Sequence, residues 1–230
     1  RCGHAASLAS SPSFRHSRAD LAPLTDNPDN HKTDTISQDP HATSAAADFE
    51  VRSLRATDPI KPITALLHRA YAGQLARGMA PLAGRQSVDV TRQRCYRGQT
   101  FVAIRRGEGS PSEEFAERLL GTILFQERED AGFPPWFLRR GVTHFSQFAV
   151  DPALQKSGVG HALLTRVEME TASLGCTELA LSMAEPDAPL RGYYERRGYR
   201  VVQTWEWPYT NYLSLIMSKP VSVDGEKDNG

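Results

Sequence analysis

Two glycines, Gly158 and Gly160, stand one residue apart in the segment LQKSGVGHALL, residues 154–164. A strand-like alternation ends just before them and an apolar run with helical spacing follows, so they lie at a strand–turn–helix junction. The first N–H groups of a helix have no internal partner and carry partial positive charge, and glycine lets an anion approach the backbone closely. This combination predicts a phosphate-binding loop, although a short glycine pattern also occurs in ordinary turns.

Two common nucleotide-binding motifs do not fit these glycines. A Walker-type loop requires Gly-Lys-Ser/Thr, but His161 and Ala162 follow the second glycine here. A dinucleotide fingerprint requires a third glycine, and Leu163 occupies that position. Glu178 does lie at about the distance of the acid that binds a ribose, so a dinucleotide stays open as the weaker alternative.

The elements that position this loop begin at Phe49. Asp58 and Pro59 are predicted to be the N-cap and the first residue of a helix, and Gly175 is predicted to end the helix that follows the loop. Strands are predicted at residues 49–54, 100–104, 119–125, 142–150, 179–181, 199–205 and 213–217, and helices at 59–75, 87–96, 158–174 and 187–197. This order predicts one α+β domain with a mostly antiparallel sheet and one parallel strand pair.

The strand at residues 142–150 is predicted to alternate regularly along its length. One face would carry Val142, His144, Ser146, Phe148 and Val150, and the other Thr143, Phe145, Gln147 and Ala149. His144 would then share a face of the sheet with Ser146 and Phe148.

The amino-acid composition argues against some classes of binding partner and indicates a cellular compartment. The chain contains 27 basic and 27 acidic side chains, so its net charge of zero gives no electrostatic reason to expect nucleic acid or an anionic membrane. No apolar run approaches the ~20 residues that a membrane-spanning helix needs. The three cysteines are few and far apart, which fits neither a disulfide framework nor a metal site and is typical of a cytoplasmic protein.

The two ends of the chain differ from its middle. Residues 1–47 are rich in Ser, Ala, Asp, Pro and His without sustained periodicity, so we predict a disordered N-terminal extension. The folded domain is predicted to span residues 48–220, and residues 221–230 are predicted to be a disordered tail.

Two motifs resemble those of the GCN5-related N-acetyltransferase (GNAT) family. Residues 155–160, QKSGVG, resemble its Gln/Arg-x-x-Gly-x-Gly/Ala signature, and residues 193–199, YYERRGY, resemble its second motif, aromatic-Tyr-Glu-x-x-Gly-aromatic. One helix and one strand are predicted between them, as in the family, and the element order from Phe49 to Met217 also matches. The resemblance implies a three-layer α/β/α fold, with a mixed, mostly antiparallel central sheet of about seven strands and about four helices.

The resemblance implies acetyl-CoA as the acyl donor, without a metal. The backbone of the loop would wrap the pyrophosphate through Gln155, Lys156, Ser157, Gly158, Val159, Gly160 and His161, with Lys156 adding charge. The main chain of Phe148, Ala149 and Val150 would pair with the pantetheine arm, at a point where neighbouring strands of the family separate. Asp187 stands where the family often has an asparagine that contacts the arm, so this chain carries a charge in place of an amide there.

The resemblance also implies residues for the chemistry. Tyr194 would donate a proton or hydrogen bond to the departing thiolate, and a phenol of pKa near ~10 suits a thiol of pKa ~8.5. His144 falls where histone-type members of the family keep a glutamate base, and a neutral imidazole is suited to deprotonate an ammonium. Glu127, Glu129 or an ordered water are alternatives to His144 as the general base.

The sequence therefore predicts a cytoplasmic N-acetyltransferase that moves an acetyl group from acetyl-CoA to a primary amine by direct attack. The acceptor is a small-molecule or peptide amine that the sequence does not identify. The alternative is a non-catalytic module of the same fold that binds acyl-CoA and regulates another process. A homodimer is compatible with the sequence, and neither nucleic acid nor a membrane is expected as a partner.

Overall fold

The structure, a computed structural model, describes residues 48–106, 115–127, 129 and 131–222. The predicted N-terminal extension and most of the predicted C-terminal tail lie outside these residues. Near the end of the described chain, the N–H of Val221 donates to the carbonyl of Thr177 at 2.9 Å, so the chain is still attached to the sheet there. No helix in these ranges is long and apolar enough to cross a bilayer.

One seven-stranded sheet organises the described chain. Its strands are β1 (Phe49–Ser53), β2 (Gln99–Arg105), β3 (Leu119–Gln126), β4 (Val142–Val150), β5 (Glu178–Ala184), β6 (Arg200–Glu206) and β7 (Leu213–Pro220). They lie in the order β1-β2-β3-β4-β5-β7-β6, and every neighbouring pair is antiparallel except β4 and β5. The mixed, mostly antiparallel sheet is therefore confirmed.

Five α-helices lie within the described ranges: α1 (Ile60–Ala76), α2 (Val88–Cys95), α3 (Phe115–Arg118), α4 (Val159–Ser173) and α5 (Ala188–Glu195). The first two pack on one face of the sheet, and α4 and α5 pack on the other, which gives the three layers. The sequence predicted all of them except α3, whose four residues are too few to show a helical period.

The larger core lies between the sheet and α4, and a second core lies beneath α1. The buried apolar side chains of α4 recur at helical spacing: Val159, Leu163, Leu164 and Val167. Those of α1 follow the same rule: Ile60, Ile63, Leu66 and Leu67. Each such side chain contributes roughly 1.5–3 kcal/mol when fully buried, so these stripes attach both helices to the sheet.

Asp58 does not cap α1 as predicted. Pro59 occupies the N-cap position, one residue later than expected, and Asp58 binds Arg52 at 2.6 and 3.0 Å. Its carboxylate also accepts from the N–H of Arg55 at 2.8 Å. The prediction was wrong because this ion pair with the preceding strand occupies the carboxylate.

The predicted end of α4 does fit the structure. Gly175 follows α4 with a φ of +66°, the left-handed conformation that such a helix end requires.

Gly121 allows α4 to approach β3 closely. A Cβ at this position would lie 2.8 Å from Cδ1 of Leu163, 3.0 Å from Cγ1 of Val159 and 3.0 Å from the carbonyl oxygen of Ala149. The contact at 2.8 Å is shorter than real Cβ atoms make without a shift of the neighbouring atom, and the contacts at 3.0 Å are tighter than most real ones. The beginning of α4 therefore depends on a strand residue without a side chain.

Replacing Gly121 with alanine is expected to lower the free energy of unfolding by about 1–3 kcal/mol, because the added methyl group overpacks the contact. Gly73→Ala is the matched control, since Gly73 is exposed in α1 and its nearest neighbour would be the Arg77 side chain at 3.7 Å. Gly73→Ala is expected to raise the free energy of unfolding by about 0.4–1 kcal/mol, because alanine lowers the conformational entropy of the unfolded chain. Urea unfolding followed by circular dichroism measures both, and equal stability of Gly121→Ala and the wild type would contradict the close approach.

Candidate active site

β4 and β5 separate halfway along their length. They pair in parallel only from Val142 and Glu178 to Phe145 and Leu181. Beyond this point β5 continues to Ala184, paired with β7 on its other side. A cleft of about 400 Å³ includes this opening, and Tyr194 and His144 are among the residues that line it. This is the strand separation that the family resemblance implies.

β4 carries a bulge beside this opening. Gln147 and Phe148 together lie opposite Ile123 of β3, so β4 has one more residue than its partner here. Gln147 has a φ of +49°, in the left-handed region that a residue with a Cβ enters at a cost of about 1–2 kcal/mol. A bulge interrupts the alternation of a strand and changes the direction of the side chains that follow.

The predicted alternation of β4 is therefore wrong beyond Ser146. Phe148 and Val150 lie on the α4 face together with Phe145, whose ring centroid is 6.0 Å from that of Phe148. Ala149 lies on the α1 face. The extra residue of the bulge shifts the alternation by one position, so His144 does not share a face with Phe148.

Buried polar side chains hold the bulge in place. Gln147 Oε1 accepts from Gln86 Nε2 at 2.7 Å, and Gln147 Nε2 lies 4.0 Å from the thiol sulfur of Cys95. The side chain of Gln147 therefore points to the helix α2 side, opposite to its predicted face. Gln86 also donates to Thr91 Oγ1 at 2.9 Å, and its Oε1 accepts from Arg94 at 2.7 Å. A buried amide without partners costs about 1–3 kcal/mol, so these bonds stabilise the strained backbone of Gln147.

Tyr194 lies in α5 beside the opening between β4 and β5. Its side chain packs against the rings of Phe145, Tyr193 and Tyr199 at centroid distances of 6.2, 5.3 and 5.5 Å. Burial, reinforced by nearby phenols, raises the pKa of Tyr194 well above its usual value. The hydroxyl is therefore protonated at neutral pH and can act as a donor.

His144 and Glu129, two candidates for the general base, are in contact. His144 Nε2 lies 3.2 Å from Oε1 of Glu129, and the imidazole stacks on the ring of Phe137 with centroids 4.2 Å apart. Burial lowers the pKa of His144 below its usual value of 6.5, and Glu129 opposes this shift in part. The imidazole is therefore neutral at pH 7, which is the state that can accept a proton.

Glu129 is the centre of a polar network at this end of the cleft. Besides His144, its carboxylate accepts from Gln126 Nε2 at 2.6 Å and from Arg97 at 3.2 Å. Gln126 accepts in turn from the hydroxyl of Ser146 at 3.1 Å. The contacts from three side chains fix the orientation of the carboxylate toward His144.

Glu127, the other carboxylate considered as the base, lies outside the cleft. It is exposed and borders a separate hollow lined by Arg97, Phe125 and Leu174. The structure thus brings His144 and Glu129 together and leaves Glu127 apart.

The glycine loop connects β4 to α4. After a 3₁₀ turn at Pro152–Leu154, Lys156 and Gly158 have φ values of +70° and +90°. The first hydrogen bond within α4 runs from Ala162 N–H to the Gly158 carbonyl at 3.0 Å, and no side chain of the described residues caps the helix. The backbone N–H groups of residues 159–161 therefore have no partner within the helix.

The loop is accessible from outside, because Gln155, Lys156, Gly158 and His161 are exposed while Ser157 and Gly160 are partly exposed. Gly160 lies against β4, where a Cβ would be 3.4 Å from both Phe148 and Val150. Val159 is the exception, since its side chain is in the core and only its backbone is available.

Asp187 is paired with side chains at the end of α1. It stands at the N-cap position of α5, but its side chain makes no capping hydrogen bond. The buried carboxylate accepts from Gln74 Nε2 and from Arg77, each at 2.9 Å. The side chain therefore ties α5 to the end of α1, and Arg77 offsets its charge.

The weaker dinucleotide alternative does not fit this geometry. Glu178 begins β5 opposite Val142, the first residue of β4, whereas the glycine loop follows the last residue of β4. The two features therefore lie at opposite ends of the strand pair. Glu178 instead binds Arg200 at 2.6 Å.

A sequence profile of the Acetyltransferase (GNAT) family matches residues 80–199, more than half of the 230-residue chain. The chain therefore belongs to the GNAT acetyltransferase family, and the resemblance seen in the two motifs is confirmed. No curated protein matches this chain.

Several solved structures of acetyltransferases share this fold. The ribosomal-protein-S18-alanine N-acetyltransferase from Escherichia coli is 20% identical, with a TM-score of 0.54 over 78% of this chain and 97% of that one. A GNAT family acetyltransferase from Elizabethkingia anophelis, solved with acetyl-CoA bound, is 14% identical, with a TM-score of 0.50 over 75% and 98%. The NatC complex bound to a Gag peptide and CoA gives 14% identity and a TM-score of 0.52 over 76% and 99%. At these identities the likeness shows the fold.

The contact between His144 and Glu129 predicts the pKa of His144 in the wild type and its change when Glu129 is replaced. The imidazole of His144 is expected to titrate below 6.5, because burial disfavours its charged form. In the Glu129→Gln variant the pKa is expected to fall further, since the carboxylate that favours the imidazolium is gone. An NMR titration of the imidazole resonances measures both values. A wild-type pKa above 6.5 would show instead that Glu129 holds the imidazole protonated.

Proposed function

We propose that the protein transfers an acetyl group from acetyl-CoA to a primary amine, and that the amine attacks the thioester directly. The observation that carries this proposal is the convergence of three features on one edge of β4: a helix N-terminus with unused N–H groups, an opening between strands, and a buried tyrosine. They suit the pyrophosphate, the pantetheine arm and the thiol of acetyl-CoA, in that order.

The end of β4 is suited to hold the pantetheine arm along Phe148, Ala149 and Val150. The N–H of Asp151 points toward β3, where it donates to the carbonyl of Leu120 at 2.9 Å. Strand geometry then turns the N–H of Val150 away from β3 and toward the opening. Among the described residues no strand pairs with this edge, so an amide of the arm would bind it as an added strand does.

The glycine loop would bind the pyrophosphate through the backbone of Gln155 to His161. Its free N–H groups and the helix dipole favour an anion, and the positive φ of Gly158 and Lys156 turns the chain toward the helix start. Lys156 adds a positive charge at an exposed position. Asp187 is not part of this proposal, because its carboxylate binds Gln74 and Arg77.

The chemistry would require one group that gives a proton and one that takes a proton. Tyr194, protonated and beside the opening, would donate to the leaving thiolate. His144, neutral and in contact with Glu129, would take the proton of the attacking ammonium, and the carboxylate would offset the charge of the imidazolium that forms. A main-chain N–H at the end of β4, residues 148–150, would polarise the thioester carbonyl.

Direct attack is favoured over an acyl-enzyme because no cysteine of the described residues lines the cleft. Cys95 lies beneath Gln147, and burial raises the pKa of its thiol, which makes the nucleophilic thiolate scarce. The acceptor in this proposal is a small-molecule or peptide amine. The cytoplasmic location and the homodimer stay predictions.

The Tyr194→Phe variant is expected to lower kcat about 10²- to 10⁴-fold while CoA affinity changes little, because the phenol acts on the departing thiol. Released thiol gives kcat, and calorimetry of CoA binding checks that the cleft is intact. Unchanged kcat in this variant would refute the role of Tyr194.

The pH dependence of kcat/KM is expected to report the imidazole of His144. Activity should be present above the pKa of His144 and be lost as the pH falls through it, and this acidic limb should lie below pH 6.5 because burial lowers that pKa. The His144→Ala variant should lose the limb and most of its turnover, while calorimetry shows retained CoA binding. An acidic limb that survives in His144→Ala unchanged would assign the base to Glu129 or to water.

A further inference from the structure

The acceptor end of the cleft, which we define by Arg94, Phe133, His144, Trp207 and Tyr209, has an unbalanced charge. Two arginines, Arg94 and Arg97, line the cleft, and no carboxylate is among the described residues that line it. Arg97 is paired, because it donates to Glu129 at 3.2 Å. Among the described residues, the positive charge that remains without an opposite charge belongs to Arg94.

Arg94 is held in position by neutral groups. Its Nη1 donates to Gln86 Oε1 at 2.7 Å, and it forms no ion pair with a carboxylate in the part of the chain that the structure describes. Tyr71, Tyr209 and Cys95 are the nearby groups that would offset its charge only as anions, and burial raises the pKa of each, so all of these are neutral at pH 7. Burial lowers the pKa of the guanidinium, in keeping with its hydrogen bond to a neutral amide in place of a carboxylate.

The position of Arg94 is fixed by the bulge network. Gln86 binds Arg94 with its carbonyl oxygen while its amide nitrogen binds Gln147 at 2.7 Å and Thr91 at 2.9 Å. The amide is thus held with its oxygen directed to the arginine. A guanidinium that is fixed before binding loses little entropy when it binds a planar anion in a two-point contact.

Aromatic rings form the wall that faces this charge. The rings of Trp207 and Tyr209 stack with centroids 5.5 Å apart and planes at 21°, and Phe133 meets Trp207 edge-on at 5.7 Å. Trp207 Nε1 donates to Ser182 Oγ of β5 at 3.0 Å, which fixes the wall against the strand opening. Such rings bind a flat apolar body through dispersion and burial.

The loop that carries Trp207 and Tyr209 is fastened on its other side as well. Asn211 Nδ2 donates to the carbonyl of Gly78, and Asn211 Oδ1 accepts from the N–H of Ala80, each at 2.8 Å. The wall is therefore anchored both to β5 and to the segment after α1. A small acceptor that packs against the aromatic wall would therefore contact rings that are fixed from two sides.

We propose that the acceptor is an amine with an aromatic or large apolar body and an anionic group, a carboxylate or a phosphate, which Arg94 binds. This inference rests on the proposed acetyl transfer and names the class of its acceptor. It follows from a partly buried guanidinium that pairs with no carboxylate of the described residues and lies beside an aromatic wall, because such a charge is best stabilised by an opposite charge in the ligand.

The test compares three related amines as acceptors for the full chain with acetyl-CoA. Tyramine carries no anion, tyrosine adds a carboxylate beside the amine, and tyramine O-phosphate adds a phosphate at the far end of the ring. The proposal expects at least one anionic amine to exceed tyramine in kcat/KM by about 10- to 100-fold, the range of one hydrogen-bonded charge pair. The better of the two anionic amines identifies where the anion lies.

The Arg94→Met variant is expected to remove this preference: the ratio of kcat/KM for the favoured anionic amine to kcat/KM for tyramine should fall about 10- to 100-fold, because any effect of the lost Gln86 contact on the bulge lowers both values together. Arg92→Met is the matched control, because Arg92 lies on the same helix, is exposed and pairs with Asp89 outside the cleft. The control variant should keep the wild-type preference.

A binding measurement separates this inference from the proposed function. Hydroxyphenylpropionate has the ring and the carboxylate without an amine, and tyrosol has neither charge. Calorimetry with CoA-saturated protein should show tighter binding of the anion to the wild type than to Arg94→Met, and no such difference for tyrosol.

Anion binding without acetyl transfer would refute the proposed function and keep the anion site. Transfer that favours tyramine in both the wild type and Arg94→Met would refute the anion site and keep the function. Neither binding nor transfer would refute both.

Discussion

The bulge at Gln147 is the constraint on which the rest of the site depends. β4 stays paired with β3 to its end, while it leaves β5 after Phe145. The extra residue changes the direction of the strand at this point and brings Phe148 to the α4 face, under the glycine loop. An opening with an unpaired strand edge thus forms at the centre of the sheet, and a helix N-terminus lies at its end.

Two polar networks begin at adjacent residues of β4, one at the bulge and one just before it. Gln147 leads through Gln86 to Arg94, and Ser146 leads through Gln126 to Glu129. Since a buried polar group without a partner is costly, the folded chain stabilises the strained backbone of Gln147 by satisfying these side chains. The same bonds orient the charged groups at the acceptor end of the cleft. Stability and chemistry therefore depend on the same hydrogen bonds.

The sequence predicted well the parts of the molecule that local patterns determine. Helical and strand periods located all seven strands and four helices, and the glycine loop and the Tyr194 motif identified the family. The bulge was missed because Gln147 has no local feature that distinguishes it from a regular strand residue. Gln86, Arg94 and the contact of His144 with Glu129 were missed because they depend on residues far apart in the chain. Asp58 shows the same limit, since it was predicted to cap α1 and binds Arg52 of β1 instead.

The central claim is that the thioester of acetyl-CoA is broken only by transfer of its acetyl group to an amine. The most direct measurement quantifies released thiol and N-acetylated amine in the same quenched sample, with and without an added primary amine. The account predicts one molecule of N-acetylated amine for each thiol released, and no release above the uncatalysed rate when the amine is omitted. Thiol release without an acetylated amine, or CoA binding without any release across a broad set of amines, would contradict it.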